Sequence, residues 1–269
     1  MVLTFFSRAG GGCATSNALA IAMQASMEGY KTVLLDVTFD TYNTPQIAFL
    51  PQVENNQSGY FENVGIDALV RNVSAGTLKE ENIRDIETEI SENLYYIPRT
   101  LKKNYEIYVD ELKKSVEAMI KSLNLYHDVV IIDVGYGMNE TKEEIIKYSD
   151  LLVLNVPQNI GVLKRYVGEA YTRQDNVFYL VGNYDLSSKY SVKRLKGEVS
   201  KQKKGQKIAM SYILHNAEFA DSTQNTQLLN FFNRNEEVEK EDYNYPFMES
   251  VKKSFKKIRK EYEKRVEEE

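Results

Sequence analysis

The segment SRAGGGCATSN, Ser7–Asn17, links an apolar run at Val2–Phe6 to a stretch of helix formers at Ser16–Met27, and the reading of this link decides the fold. Gly10, Gly11 and Gly12, followed by Cys13, Ala14, Thr15 and Ser16, are small enough for backbone N–H groups to close around an anion at a helix N-terminus. The same residues also suit a plain tight turn in which Thr15 or Ser16 caps the helix. The choice between the two rests on the rest of the chain.

Short runs rich in β-branched residues recur at Val2–Phe6, Thr32–Leu35, Leu94–Ile97, Val129–Ile132, Leu151–Val156, Val177–Val181 and Ile208–Leu214, and read as buried strands. Helical segments fall between them, at Ser16–Met27, Val109–Leu123, Thr141–Lys147 and Ile160–Ala170. The alternation predicts an α/β fold, a mostly parallel twisted sheet of about seven strands with helices on both faces and ligands at the carboxyl ends of the strands. Thr41–Gly65 reads as an extended connection, with a short helix at Ile66–Asn72. From Pro246 onward, Phe247, Val251, Phe255, Ile258, Tyr262 and Val266 recur every three or four residues, the mark of an amphipathic helix. The expected organisation is one domain over residues 1–245 with the helix 246–269 packed on it.

Composition narrows the chemistry. The 269 residues carry a formal charge of -5, so no global positive field draws the chain to nucleic acid or anionic lipid. The one cysteine, Cys13, and two histidines exclude a disulfide framework and argue against a zinc site. No run approaches the ~18 apolar residues of a spanning helix, and the first residues do not resemble a signal peptide. A cytoplasmic location follows as the expectation.

Beyond the glycine link, a set of phrases in a fixed order resembles the MinD/ParA superfamily of P-loop ATPases. Its deviant Walker A motif runs Lys-Gly-Gly-x-Gly-Lys-Ser/Thr; Gly10, Gly11 and Thr15 match, whereas Ala9 and Ala14 stand in place of both lysines and Cys13 in place of the last glycine. KTVLLDVTFD, Lys31–Asp40, is similar to the family's second strand and ends in an aspartate at Asp36, 22 residues after Ala14. Where the family carries a further acid, this chain has Thr38. YHDVVIIDVGYG, Tyr126–Gly137, resembles a Walker B strand ending in Asp133, with Gly135 at the switch position. VPQN after Asn155, LVGNYDLSSKYS at Leu180–Ser191 and SYILHNAEFADS at Ser211–Ser222 resemble later strand-to-loop transitions. ENLYYIPRT and YHDVVIIDVG, together with the atypical loop, are similar to the pilus-assembly branch known as TadZ/CpaE-like proteins.

The resemblance implies ATP and Mg2+ as cofactors. Gly10, Gly11, Gly12, Cys13, Ala14, Thr15 and Ser16 would hold the phosphates; Thr15, Asp36 and Asp133 would hold the metal; Asn183, His215 and Asn216 would line the base pocket. It also implies a homodimer and other proteins of a secretion or pilus assembly as partners, with recruitment to the inner membrane face or a cell pole. DNA or a membrane surface, suggested by the basic stretch Lys189–Lys207 and the terminal helix, is the less favoured partner.

The substitutions set the expected chemistry. The backbone cradle and helix dipole do not need the lysines, so nucleotide binding survives, weakened by about ten- to a hundredfold for one lost charge-assisted contact. Hydrolysis relies on positive charge at the γ-phosphate and a positioned water, so it is expected to be slow or absent. Arg8 reads either as a substitute cation or as a solvated loop residue, and Cys13 as a small filler of a tight loop rather than a nucleophile. The leading functional expectation is a nucleotide-responsive localisation or scaffold factor, in Tad/Flp-type pilus assembly. The alternatives are an active ATPase of chromosome or septum positioning and a pseudo-ATPase interaction module that binds no nucleotide.

Overall fold

Val2–Ser7 (β1) is buried at every position, because apolar residues on both of its faces leave neither side for water. Leu3 and Phe5 point into one core, Val2 and Phe6 into the other. The same alternation runs through Val129–Tyr136 (β5), Leu151–Val156 (β6) and Val177–Tyr184 (β7). The computed structural model describes residues 1–39, 44–50, 63–169, 175–203 and 207–268.

The sheet is completed by Thr32–Asp36 (β2), Thr88–Ser91 (β3), Leu94–Ile97 (β4) and Ala209–Leu214 (β8), in the order β3-β4-β2-β5-β1-β6-β7-β8. All pairings are parallel except β3 with β4. Eight strands therefore stand where about seven were expected. The eighth, β3, reads Thr-Glu-Ile-Ser at a half-exposed sheet edge, so it carries no apolar run to betray it. β1 lies between β5 and β6; the chain leaves it toward one edge and later returns to build the other, and ligand crevices form at the carboxyl end of such a switch point.

On one face the core is covered by Ile66–Ser74 (α3), Tyr105–Tyr126 (α5), Glu140–Lys147 (α6), Ile160–Val167 (α7) and Val192–Gln202 (α8). The other face is covered by Ala14–Met27 (α1), Thr44–Phe49 (α2), Ala217–Ser222 (α9), Leu228–Arg234 (α10) and Tyr245–Glu268 (α11). Glu80–Ile86 (α4) leads into β3. Helix α2 corrects the reading of Thr41–Gly65 as wholly extended: Pro45 and Ala48 are buried there, a stripe too short to register as periodicity. The rest of that connection, at 41–43 and 51–62, lies outside the described residues, as does Ala170, the expected end of α7. Helix α5 extends a turn beyond each expected end, starting where the Asn104 side chain accepts from the Ile107 amide at 3.1 Å, an N-cap bond.

The C-terminal helix α11 lies against β8 and α1. Phe247, Val251, Phe255 and Ile258 are buried, each contributing about 1.5–3 kcal/mol by leaving water, and Ser254 bonds Ser211 and the Tyr212 carbonyl at 2.9 and 2.8 Å. The stripe stops short of its expected end, because Val266 is 56% exposed beyond the edge of the core. Among the described residues no helix is long and apolar enough to cross a membrane.

Candidate nucleotide site

At the carboxyl end of β1 the chain turns through Arg8–Cys13 into α1, enclosing a cavity of about 740 Å³ lined by the loop, Ala14, Thr15, Gly135 and Tyr136. Two features shape the turn. Gly11 and Cys13 take left-handed backbone angles, φ 83° and 61°, and Gly12 packs so closely on Ser7 that a Cβ would come within 1.9 Å of its Oγ. Cys13 thus adopts, at a cost of about 1–2 kcal/mol for a side-chain-bearing residue, the conformation glycine adopts freely.

Three polar and small residues that sequence reasoning passed over fasten this loop. Asn17 donates to Asn155 Oδ1 at 2.7 Å, and Asn155 donates in turn to the Val153 and Phe6 carbonyls at 2.9 and 3.3 Å, pinning the first turn of α1 to β6 and β1. Gly182 of β7 backs onto the loop so tightly that a Cβ there would lie 2.6 Å from that of Cys13. A glycine inside a strand and an asparagine inside an apolar run are the signals that could have found them.

Like those of α3, α4 and α10, the N-terminus of α1 lacks a side-chain cap, whereas five other helices have one. Asn104, Asn139, Asn159, Ser191 and Asn216 each accept a backbone N–H at the start of α5, α6, α7, α8 and α9. Cys13 gives α1 no side-chain cap, and the first turn holds no acid. Its unpaired N–H groups and the positive end of the helix dipole face the cavity, the arrangement that suits an anion.

Beneath the loop, Asp36 and Asp133 stand side by side in register on β2 and β5, both fully buried. Asp36 Oδ1 accepts from the Thr38 amide and hydroxyl at 2.9 and 2.7 Å, and Asp133 Oδ1 from the Gly135 amide at 2.9 Å. Thr38, where the family pattern has an acid, serves here to hold Asp36. Burial and the neighbouring Asp133 raise the Asp36 carboxyl to about 7 against the opposing Thr38 bonds. Burial also raises Asp133, opposed by the Thr15 hydroxyl, the Gly135 amide and the charge of Lys142.

Asp36 Oδ2, Asp133 Oδ2 and the Tyr96 hydroxyl are buried with no hydrogen-bond partner in the structure. Tyr96, on the adjacent β4, was not read from the sequence as a site residue; burial and the two carboxylates push its phenol well up. Among the described residues no cluster of three His, Cys, Asp or Glu side chains forms a metal cage. Two carboxylates beside a helix-start threonine instead fit Mg2+, which keeps several waters and takes further oxygens from phosphate.

The expected base-pocket residues also meet. Asn183 and His215 line a second cavity of about 820 Å³ together with Leu186 and Tyr243. His215 Nδ1 lies 2.6 Å from Asn183 Oδ1, so a ring N–H donates there and the Asn183 amide N–H2 is left to face the cavity. Asn216 borders the same cavity, but its side chain is buried, accepting from the Phe219 amide at 2.7 Å and donating to Asn244 at 2.8 Å. Ser16, one step along α1, does not line the phosphate-loop cavity.

The two side chains left open by the sequence are also placed. Arg8 pairs with Glu169 at 2.7 Å and lies over the Tyr166 ring. Burial pushes the Cys13 thiol up, away from the thiolate a nucleophile requires.

No protein-family model and no curated protein matches the sequence. By structure the chain is similar to a ParA family ATPase from Chlorobium tepidum, at TM-score 0.70 and 14% identity over 94% of this chain and 98% of that one. It is similar to the cell division ATPase MinD of Pyrococcus furiosus at TM-score 0.67 and 14% identity, over 96% and 98% of the two chains. The septum site-determining protein MinD of Pyrococcus horikoshii, complexed with Mg-ADP, matches at TM-score 0.65 and 16% identity over 98% and 96%. The chain therefore has the fold of the ParA and MinD ATPases.

Proposed function

We propose that this chain binds Mg-ATP in the phosphate-loop cavity, turns it over slowly or not at all, and acts as a nucleotide-responsive localisation or scaffold factor, as a homodimer, in a Tad/Flp-type pilus assembly. The observation that carries the reading is the uncapped start of α1 standing above two buried carboxylates with unpartnered oxygens. One part of the site attracts anions and the other a cation, and a metal-bound polyphosphate satisfies both.

When bound, Mg2+ would draw charge from the phosphate oxygens, as it does in related chemistry. The chain itself supplies loop amides that bind, the Thr15 hydroxyl and the two aspartates that hold the metal, and Asn183 to face the base. It supplies no acid at Thr38 to orient a water, and Arg8 is engaged by Glu169, so the hydrolytic half of the cycle lacks its residues. Isothermal titration with Mg-ATP beside a phosphate-release assay tests this: micromolar to millimolar binding with turnover far below ~1 s⁻¹ is expected. Turnover at enzyme-like rates would instead establish the active-ATPase alternative.

A further inference from the structure

The loss of both loop lysines leaves the phosphate cavity without the cation that usually answers a triphosphate, and the nearby positive charges differ in how they are engaged. Arg8 is paired with Glu169. Arg99 lies on the Asp36 side, where its charge favours the Asp36 carboxylate. On α5 and α6, Lys113 and Lys147 pair with Glu140 and Glu144.

Lys142, in the first turn of α6, forms no ion pair among the described residues; its ammonium instead donates to the Tyr136 and Gly137 carbonyls at 2.7 and 3.0 Å. Those carbonyls belong to the loop that follows Asp133. Gly135 and Tyr136 line the phosphate-loop cavity and also a second, smaller one of about 320 Å³ that Lys142 itself lines. The Gly137 amide is tied to the Ser7 carbonyl at 3.1 Å, so the segment whose carbonyls hold the lysine is anchored to the residue where the phosphate loop begins. Of the three N–H donors of an ammonium, two rest on neutral carbonyls, a weaker station than a phosphate oxygen offers. Burial lowers this lysine to about 8, with the charge of Asp133 pulling the other way.

We infer that Lys142 is the surrogate cation of this site: its ammonium, held on the carbonyls of Gly137 and of Tyr136, a residue that lines both cavities, answers the terminal phosphate of a bound nucleoside triphosphate in place of the lysines absent at Ala9 and Ala14. The inference rests on the nucleotide-binding reading above. It also couples that phosphate to the loop after β5, because the same ammonium holds the loop carbonyls. A triphosphate and a diphosphate then differ in what they ask of Lys142.

The test is titration of the wild type, Lys142→Met and Lys142→Arg with Mg-AMPPNP and with Mg-ADP, each protein first shown to be folded by its melting curve. Lys142→Met is expected to bind AMPPNP about ten- to a hundredfold more weakly, to lose less than about threefold for ADP, and to be partly rescued by arginine. As a check that needs no variant, AMPPNP should shield Lys142 of the wild type from an amine-acetylating reagent, read by mass spectrometry, more than ADP does. Equal affinity of Lys142→Met and wild type for AMPPNP, equal losses for the two nucleotides, or equal labelling with both would overturn the assignment while leaving nucleotide binding intact. Failure of the wild type to bind either nucleotide would overturn the binding reading and this inference with it.

Discussion

Strand β5 has a buried ionisable group near each end, and the two are treated in opposite ways. Just before the strand, His127 places Nδ1 3.0 Å from the Leu123 carbonyl and Nε2 2.9 Å from Glu87 Oε2, with both side chains out of water. A carbonyl only accepts, so Nδ1 carries a hydrogen, and the contact with Glu87 needs a second proton between ring and carboxylate. One oxygen of that acid is held by the ring, while Oε1 has no hydrogen-bond partner. At the other end, Asp133 faces Asp36, and each keeps an oxygen without a hydrogen-bond partner. One end of the strand pairs its acid with a ring nitrogen, the other sets two acids against each other, and this contrast is the strongest sign of where function lies.

The contrast breaks most visibly at His127. Replacing it by alanine leaves the buried Glu87 carboxyl without its ring partner beside a new cavity and is expected to cost about 3–5 kcal/mol, read from urea unfolding. The double change His127→Leu with Glu87→Leu should recover most of that loss, since a well-packed apolar pair replaces a buried polar pair at little cost.

The same experiment at the other end should run the opposite way. With its carboxyl at about 7 in the fold and about 3.9 in the unfolded chain, Asp36 binds a proton more tightly when folded. Its contribution to stability is therefore full below pH ~4, falls as pH rises from ~4 to ~7, and stays low above that. Asp36→Asn is expected to raise stability at pH 8 by about 1–4 kcal/mol, at ~1.4 kcal/mol per pKa unit, and to flatten that slope while abolishing any stabilisation by Mg-nucleotide. A variant less stable than wild type at pH 8 without metal would contradict the account of an unsatisfied pair. The smallest effect is expected at Cys13: Cys13→Gly relieves its left-handed backbone and should change stability by no more than about 1 kcal/mol while sharpening nucleotide binding.

Which parts of this were legible in the sequence follows from how local their causes are. The buried parallel strands are written as continuous β-branched runs, and Asp36 and Asp133 show as acids at the ends of such runs, so the sheet and the carboxylate pair are visible before any coordinates. β3, with one apolar residue in four, and α2, a single buried turn, carry too little pattern. The partners of the site depend on contacts distant in sequence. Nothing near Lys142 marks it as different from Lys113 or Lys147; only the packing of α6 on the loop after β5 sets it apart. Asn17 with Asn155 and Gly182 with Cys13 meet only because β6 lies beside β1 and β7 beside β6. Asn216, expected in the base pocket, borders that cavity and also caps α9 through its side-chain oxygen, a contact that the sequence alone does not mark.

The central claim is that the start of α1 and the aspartate pair together form a site for a metal-bound adenine nucleotide, and it is tested most directly by thermal unfolding of the purified chain with Mg-ATP, Mg-ADP, Mg-GTP and ATP in EDTA. A ligand at a hundred times its Kd adds about 2.7 kcal/mol to the native state, which in a chain of this size raises Tm by about 5 °C or more. The account predicts such a rise for the adenine nucleotides, smaller with GTP and largely lost in EDTA. No change in Tm with any nucleotide at millimolar concentration would contradict it and leave the fold as an interaction module.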